Sequence, residues 1–270
     1  MLTLTYRSTT TIPVEAEVIT PDQLHGRTAA EIAQLPVQHG NKQEPLGEFF
    51  TVEGDVADEH VILHGDCSRV KWIGAGMTRG TITIHGDAGM HLGSEMRGGR
   101  ILVHGHAGDW VGGEMRGGLI HVRGNAGHLV GAAYRGSRLG MRGGAILIDG
   151  SAGNEIAATM RRGLVAIGGG AGDFPGVGMI AGTLLLFGGP GIRVGAGMKR
   201  GSIVVFAGPP PLLPTFRYTC TYQPPFLPIY LRQLQAWNYA PAASVAPGRY
   251  RRFGGDLVSL GKGEILVRGA

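Results

Sequence analysis

Six arginines recur at nearly regular intervals through the middle of this 270-residue chain and are its clearest candidates for chemistry. Most of them close a short unit that reads RGG or RRG, and Lys199 stands at a comparable place late in the series. The six are Arg79, Arg97, Arg116, Arg135, Arg142 and Arg161. Guanidinium groups bind carboxylates and phosphates, so the row predicts a basic stripe for a polyanionic ligand tail or an acidic partner. The alternative is a solvated corner whose charges pair with nearby acidic side chains, namely those of Glu95, Glu114 and Glu155.

Histidines form a second row, because His64, His85 and His104 each stand just before a recurring glycine, and His106 follows closely. Imidazoles from adjacent turns can bind zinc when three of them converge. Here the histidines fall in one column, and no acidic residue is placed to act as a base. This favours a column of polar side chains that point outward. No Ser-His-Asp or Cys-His arrangement is readable, and the glycine-rich stretches lack the helix that a phosphate loop needs. The sequence therefore predicts no catalytic and no metal-binding residues in this chain.

The elements that position these rows belong to a repeat marked by methionine. Five of the six gaps in the series are nineteen residues and the other is twenty-six; the positions are Met77, Met96, Met115, Met141, Met160, Met179 and Met198. Each unit opens with a short apolar, β-branched stretch followed by glycine, which leaves no room for a helix. We therefore predict an all-β fold, a parallel β-helix of about seven or eight coils with a nineteen-residue period. The methionines are expected to fill its core.

Three regions are expected along the chain. Residues 1–47 are predicted to form an N-terminal cap, and residues 48–208 the β-helix. Residues 209–270 are rich in proline and aromatic residues, and we expect an extended tail with a short helix at 229–238 and a closing strand. This tail is too apolar for a disordered linker and should pack along the rod or on another protein.

Two local features carry more specific expectations. Thr28 and Glu31 have capping-box spacing, which predicts a short helix within residues 27–35. In the longest repeat, Tyr134 keeps the nineteen-residue spacing, so a seven-residue insertion carrying Met141 is expected to bulge outward as a candidate contact for a partner.

Composition excludes several classes of protein. The net charge of +5 is moderate, and there is neither a lysine-rich tail nor an aromatic-stacking motif that would indicate nucleic-acid binding. The sequence contains no run of eighteen apolar residues, so no membrane span is expected. The first residues lack the apolar segment of a signal peptide. Two cysteines fit a reducing compartment better than a disulfide scaffold. A cytoplasmic location is therefore expected.

The coils and their flanks resemble known proteins. The tandem GxGM and EMRGG coils are similar to the right-handed β-helix shared by the C-terminal domain of glutamate synthase and the C subunit of formylmethanofuran dehydrogenase. The segment PDQLHGRTAAEIAQLPVQHGNKQEPLGEFFTVEG (21–54) resembles the N-terminal segment of the second family, and RRFGGDLVSLGKGEILV (251–267) resembles its closing segment. The resemblance covers nearly the whole chain and favours the C-subunit family.

The resemblance implies a role in one-carbon metabolism. In that family, the C subunit is a non-catalytic β-helical scaffold that binds no cofactor alone and assembles with the A, B and D subunits, with a dimer of hetero-tetramers as one possible state. In a formyltransferase/hydrolase complex, a formyl group passes from tetrahydromethanopterin to a methanofuran analogue and is released as formate, with zinc on the A subunit. In the alternative, the complex is a tungsten or molybdenum formylmethanofuran dehydrogenase that carries the metal on a pterin.

The arginine row acquires a specific role from this resemblance. Methanofuran analogues carry glutamate chains, so the row is expected to hold such a tail. Two readings of other classes stay open from the residues alone: a self-contained enzyme of glutamate-synthase or hexapeptide type, and a structural filament of stacked β-helices. Hexapeptide enzymes repeat at eighteen residues per coil, whereas this chain repeats at nineteen.

Overall fold

A computed structural model describes residues 1–269 as a mostly β protein with a large sheet in which parallel pairing dominates. Four strands and three short helices precede the long sheet run: β1 (Leu2–Tyr6), β2 (Val14–Glu15), α1 (Pro21–Leu24), α2 (Ala29–Ala33), β3 (Pro36–His39), β4 (Lys42–Pro45) and a 3-10 helix (Leu46–Glu48). The central strands are β5 (Phe50–Gly54), β6 (His60–His64), β7 (Val70–Lys71), β8 (Thr81–His85), β9 (Arg100–Val103), β10 (Leu119–Val122), β11 (Arg142–Ile148), β12 (Arg162–Ile167), β13 (Thr183–Leu186) and β14 (Arg200–Val205). The last elements are β15 (Arg217–Tyr222), α3 (Leu227–Ala236), a 3-10 helix (Ala240–Ser244), β16 (Tyr250–Gly255) and β17 (Lys262–Arg268). Within these residues, no helix has both the length and the apolar character needed to cross a membrane.

Parallel strands of successive repeats stack in register. Ile101 of β9 pairs with Ile120 of β10, nineteen residues later, and Ile120 pairs with Ile146 of β11, twenty-six residues later. The strand order β6-β8-β9-β10-β11-β12-β13-β14 follows the chain, so each repeat adds one strand beside the previous one. A second column of small residues bridges the same repeats: Cys67, Ala88, Ala107, Ala126, Ala152, Ala171 and Pro190. This arrangement is β-helix-like.

The seven methionines are fully buried, as the prediction of core filling required. Their size also explains the glycine of the RGG motif. A Cβ at Gly99 would lie 2.6 Å from the Met77 Cε and 2.8 Å from the Gly80 carbonyl oxygen, and Gly99 has a φ of +78°. A side chain there would collide with the methionine of the previous repeat.

The position of the insertion corrects the sequence-based expectation. Met141, not Tyr134, occupies the methionine column, because Met141 is fully buried and the N–H of Arg142 donates to the Met115 carbonyl at 2.7 Å. The extra residues therefore precede Met141, and Tyr134 lies within them, outside the column. An apolar thioether fits the core, whereas a phenol needs a hydrogen-bond partner there.

Polar side chains join adjacent repeats at two positions of the repeat, on either side of the column of small residues. The Asp87 carboxylate accepts the His106 N–H at 2.7 Å, and the Asn125 amide oxygen accepts the Ser151 N–H at 2.8 Å. A second series, three residues further along each repeat, has the same form: Asp109 to His128, His128 to Asn154, Asn154 to Asp173 and Asp173 to Ile192. We name these two series the polar ladders. They satisfy backbone N–H groups that the short strands leave unpaired.

The N-terminal residues cover the first repeat. β1 pairs in parallel with β6, and β5 pairs antiparallel with β1, so β1 covers the edge of β6 and β5 forms the outermost strand. The predicted helix is present as α2, and both reciprocal bonds of the Thr28–Glu31 capping box form.

The C-terminal residues cover the other end and one outer face. β17 pairs with β14, and β16 and β15 continue the sheet antiparallel. α3, predicted at 229–238, packs with the residues after it over the outer faces of β11–β14, where Leu147 and Leu185 contact the cluster that contains Leu234 and Tyr239. Strands β10 and β13 are therefore buried on both faces, whereas β8 alternates between buried and half-buried residues.

Candidate anion-binding site

Four of the six predicted arginines form one row. Each follows a core methionine, and its N–H donates to the carbonyl of the methionine one repeat earlier. These bonds run from Arg97 to Met77 at 2.8 Å, from Arg116 to Met96 at 2.7 Å, from Arg142 to Met115 at 2.7 Å and from Arg161 to Met141 at 2.8 Å. We name these four residues the arginine row. Ile180 and Lys199 occupy the next two equivalent positions.

Arg79 and Arg135 lie outside this row. Thr78 follows Met77, so Arg79 is one residue out of step, and its Nε lies 3.2 Å from a Glu59 carboxylate oxygen. Arg135 is exposed in the inserted segment and lines a separate cavity of about 330 Å³. A similar place near the end of the repeat therefore did not identify members of the row, because neither Arg79 nor Arg135 directly follows a methionine that fills the core.

The row carries cations that the chain itself only partly neutralises. Arg116 Nη2 lies 3.2 Å from Glu95 Oε2. Arg97, Arg142 and Arg161 form no ion pair within residues 1–269. The Nε of Arg142 is buried without a hydrogen-bond partner among the same residues. Cations stacked at the strand spacing of about 4.8 Å repel each other by on the order of 1 kcal/mol in water, and a bound polyanion would relieve this repulsion.

A cleft of about 510 Å³ adjoins the end of the row. Arg161 and Arg162 line one side, and Tyr230, Gln233 and Trp237 from α3 and its C-terminal end line the other. Its floor is formed by glycines together with Ala145 and Leu164. The arrangement suits an anionic group with an apolar portion. The sequence held one signal for it: the position after the row residue is glycine at 98, 117 and 143 but arginine at 162.

The histidine row is exposed, with His64 and His85 at the ends of β6 and β8 and His104 directly after β9. The rings of His64 and His85 stack at 4.9 Å between centroids, and those of His85 and His104 at 4.8 Å. Partial burial and then the neighbouring histidines lower the pKa of His85. His106 belongs to a polar ladder, where its Nδ1 accepts the Asn125 N–H. In the described part of the chain, no three His, Cys, Asp or Glu side chains are grouped so that they could hold a metal ion.

Sequence reasoning missed an aromatic cluster beside the row. The rings of Trp72 and His91 stack at 4.2 Å, and Trp110 continues the stack at 5.4 Å from His91. The inserted Tyr134 lies across it, with its hydroxyl 3.0 Å from His91 Nδ1 and 2.6 Å from Ser94 Oγ. The insertion therefore folds back onto earlier repeats, and burial raises the pKa of Tyr134 to about 12.

A polar group buried under the C-terminal segment was also missed. His121 is fully buried, and its Nε2 lies 2.8 Å from Asp149 Oδ1, while Arg123 donates to Asp149 Oδ2 at 2.9 Å. Arg123 also donates to the Asn238 carbonyl, which ties the residues after α3 to the strands. Burial alone would raise the pKa of Asp149, but the hydrogen bonds from His121 and Arg123 outweigh it and hold that pKa below its ordinary value.

Known proteins resemble this chain over different lengths. No family profile matches it. In Methanothermobacter thermautotrophicus, the C subunit of the molybdenum-containing formylmethanofuran dehydrogenase 1 is 49% identical over 83 residues, which cover 30% of this chain and 21% of that protein. The C subunit of the tungsten-containing formylmethanofuran dehydrogenase 2 of the same organism is 40% identical over 95 residues, which cover 34% of this chain and 35% of that protein. The matched segments thus span about a fifth to a third of these relatives.

One solved structure matches this chain over almost its whole length. A chain in the crystal structure of the formyltransferase/hydrolase complex FhcABCD from Methylorubrum extorquens, in complex with methylofuran, superposes with a TM-score of 0.92. The match has 34% identity and covers 99% of this chain and 100% of that chain. The protein therefore belongs to the family that contains the C subunits of formylmethanofuran dehydrogenases and the matching chain of the formyltransferase/hydrolase complex.

Proposed function

We propose that this chain is the C subunit of a formyltransferase/hydrolase complex with A, B and D partners. In such a complex, a formyl group moves from tetrahydromethanopterin to a methanofuran analogue and is released as formate. The observation that carries the proposal is the end-to-end match, at a TM-score of 0.92, with a chain of a complex crystallised with methylofuran. In this proposal the chain is a non-catalytic scaffold with no cofactor of its own, and zinc belongs to the A subunit.

The proposed scaffold has three parts. The finer architecture is a right-handed β-helix of seven or eight coils at residues 48–208, a cap at 1–47 and a tail at 209–270. The stacked partners at nineteen-residue intervals support the coils, and the strand pairing at both ends supports the division. Covered ends favour a component of a complex over a filament, which needs open strand edges.

The arginine row gives the scaffold a further role in this proposal: it holds the glutamate tail of the carrier. Arg97, Arg142 and Arg161 have no acidic partner within the described residues, and Arg161 and Arg162 border the cleft under α3. Bonds between guanidinium groups and carboxylates are among the stronger hydrogen bonds in proteins. A row of free cations therefore matches a chain of carboxylates better than a single anion.

The second candidate is the C subunit of a tungsten or molybdenum formylmethanofuran dehydrogenase. The 40% to 49% identity with such subunits favours it, although over less than half of this chain. The same scaffold role would then serve a complex that contains a metal bound to a pterin.

A native pull-down of the tagged chain distinguishes these functions. Co-purification of three other subunits with zinc and formate release, without tungsten or molybdenum, is the result expected for the hydrolase complex. Recovery with a pterin metal and iron–sulfur proteins would establish the dehydrogenase instead. Recovery of the chain alone, in the same extract in which the other subunits are detected, would contradict both.

A further inference from the structure

A polar cavity of about 510 Å³ lies near the N-terminal end of the sheet, away from the arginine row. Its lining comes from the end of β1 and the irregular residues after it, together with the corner that follows β6: Tyr6, Arg7, Ser8, Thr9, Thr10, Thr11, Asp66, Ser68 and Arg69. The lining thus contains two arginines, five residues with aliphatic hydroxyls and one aspartate. The Thr10 hydroxyl is already engaged, because its oxygen accepts the Ile12 N–H at 3.2 Å and lies 3.0 Å from His39 Nε2. The formal balance is one net positive charge.

The backbone and hydroxyl groups of the lining leave several donors available. The Ser8 hydroxyl oxygen accepts the Thr10 N–H at 3.2 Å, so its own proton can be donated elsewhere. The N–H groups of Thr9 and Thr11 have no hydrogen-bond partner within residues 1–269. Free N–H groups on either side of Thr10, together with nearby hydroxyl donors, suit an oxyanion.

The charged groups divide into fixed and free members. Arg7 is held by a hydrogen bond from its Nη2 to the Gly47 carbonyl. The Asp66 carboxylate accepts the Ser68 N–H at 2.9 Å. The Arg69 side chain forms no hydrogen bond or ion pair in the described part of the chain, while its carbonyl accepts the Val14 N–H and so anchors β2. The backbone of Arg69 is therefore held in place, whereas its guanidinium group is free to bind a ligand.

Tyr6 supplies a further donor. Its hydroxyl is buried and forms no hydrogen bond of normal geometry among residues 1–269, although Ser8 lies beside it. Burial raises the pKa of this phenol by more than the Ser8 hydroxyl lowers it, so the phenol stays protonated and neutral at physiological pH. Buried polar groups are normally satisfied, and one without a well-formed bond beside a cavity indicates a missing partner.

We propose that this cavity binds the phosphoryl group of a small phosphate ester, with Arg69 as the main cationic contact and the hydroxyls of Ser8, Thr9 and Thr11 as donors. The volume exceeds what a bare phosphate fills, which leaves room for a small attached polyol. This inference does not depend on the proposed function of the chain in formyl transfer.

Phosphorus NMR on the purified full chain, with whatever subunits accompany it, tests the site. Inorganic phosphate and glycerol 3-phosphate are titrated separately, and their line broadening reports binding to an assembly of any size. Sulfate should reverse the broadening, and chloride at equal ionic strength should not. Tighter binding of glycerol 3-phosphate is the expected result, whereas equal affinity for the two would overturn the assignment to an organic ester.

Variants make the test specific. Arg69→Gln should weaken binding roughly tenfold or more, because a charge-assisted bond is lost. Thr9→Val, whose hydroxyl has no partner within residues 1–269, should weaken it by a smaller factor, and Asp66→Asn should tighten it. The matched control Arg217→Gln removes an exposed arginine outside the cavity and should leave binding unchanged. Absence of broadening with the unmodified chain, or equal affinity for Arg69→Gln, would overturn the proposal.

Discussion

The polar ladders and the arginine row are both columns of polar side chains on the same repeats, yet their surroundings differ. In the ladders, a side chain such as Asn125 bonds to a backbone N–H of the next repeat at 2.8 Å. In the row, Arg97 and Arg161 have no ion-pair partner within the described residues, and only their backbone bonds to the neighbouring repeat. A recurring polar residue is therefore structural when its side-chain atoms are engaged within the fold. It is available to a ligand when they are not.

The largest effect is expected where polar groups are engaged and buried. Asp149→Ala would leave His121 fully buried and deprive Arg123 of its carboxylate, so the free energy of unfolding should fall by about 3 kcal/mol. Chemical denaturation measures this loss, and Glu53→Ala, at an exposed acidic position, serves as the control. An unchanged unfolding midpoint for Asp149→Ala would show that the group does not hold the C-terminal segment in place.

The same group predicts a pH dependence. The folded-state pKa of Asp149 is held below its ordinary value, so its stabilisation is present above the unfolded-state pKa and is lost as pH falls through the folded-state pKa. The stability difference between the unmodified chain and Asp149→Ala should therefore shrink in acid, below about pH 4. A difference that grows towards low pH would contradict this assignment.

Charge reversal in the row should affect function more than folding. In the assembled complex, Arg97→Glu with Arg161→Glu should raise the apparent KM for the long-tailed carrier by roughly 30-fold, or about 2 kcal/mol. A carrier analogue without the glutamate tail should react with unchanged KM, and Arg217→Glu is the matched control. Equal KM values of the unmodified complex and the double variant for the long-tailed carrier would show that the arginine row does not bind the tail.

A ladder residue should behave in the opposite way. Asn125→Ala removes the acceptor of the Ser151 N–H and should lower the free energy of unfolding by about 1 kcal/mol. For a chain of this size, that corresponds to a fall in Tm of roughly 2–4 °C by calorimetry. The KM for the carrier should not change; if it rose as in the arginine variant, the distinction between the two columns would fail.

The smallest effects sharpen the comparison within the row. Arg161→Gln should change the free energy of unfolding by no more than about 0.5 kcal/mol, as is usual for exposed side chains. Arg116→Gln should weaken carrier binding less than Arg161→Gln does, because Glu95 already contacts Arg116 at 3.2 Å. Binding isotherms of the two variants measure this order, and the reverse order would mean that Glu95 does not compete with the ligand.

Periodic features could be predicted from the sequence because each repeat provides the same local evidence. The buried methionines follow from such evidence. Outside the repeats, local signals in the sequence predicted the capped helix at Thr28 and the position of α3 to within two residues. The insertion was harder, since Tyr134 has the right spacing and Met141 the right chemistry. In the structure Met141 fills the apolar core, because a thioether can be buried there without a hydrogen-bond partner.

The site could be predicted only in part. Contacts between distant segments, such as Tyr134 with His91 or Trp237 beside Arg161, depend on where the insertion and the tail lie. One signal was present in the strand sequences: they change from alternating, as in TITIH, to continuously apolar, as in TLLL. This change indicates a covered outer face and could have located the tail on the later strands.

Retention of the carrier during purification shows whether the arginine row binds it. The complex would be isolated with the unmodified chain, with Arg97→Glu and Arg161→Glu together, or with Asn125→Ala, and the bound long-tailed carrier quantified by mass spectrometry. We predict that the unmodified and Asn125→Ala complexes retain the carrier and that the double arginine variant loses most of it while staying assembled. Equal retention by all three would contradict the claim that the free arginines form the binding surface.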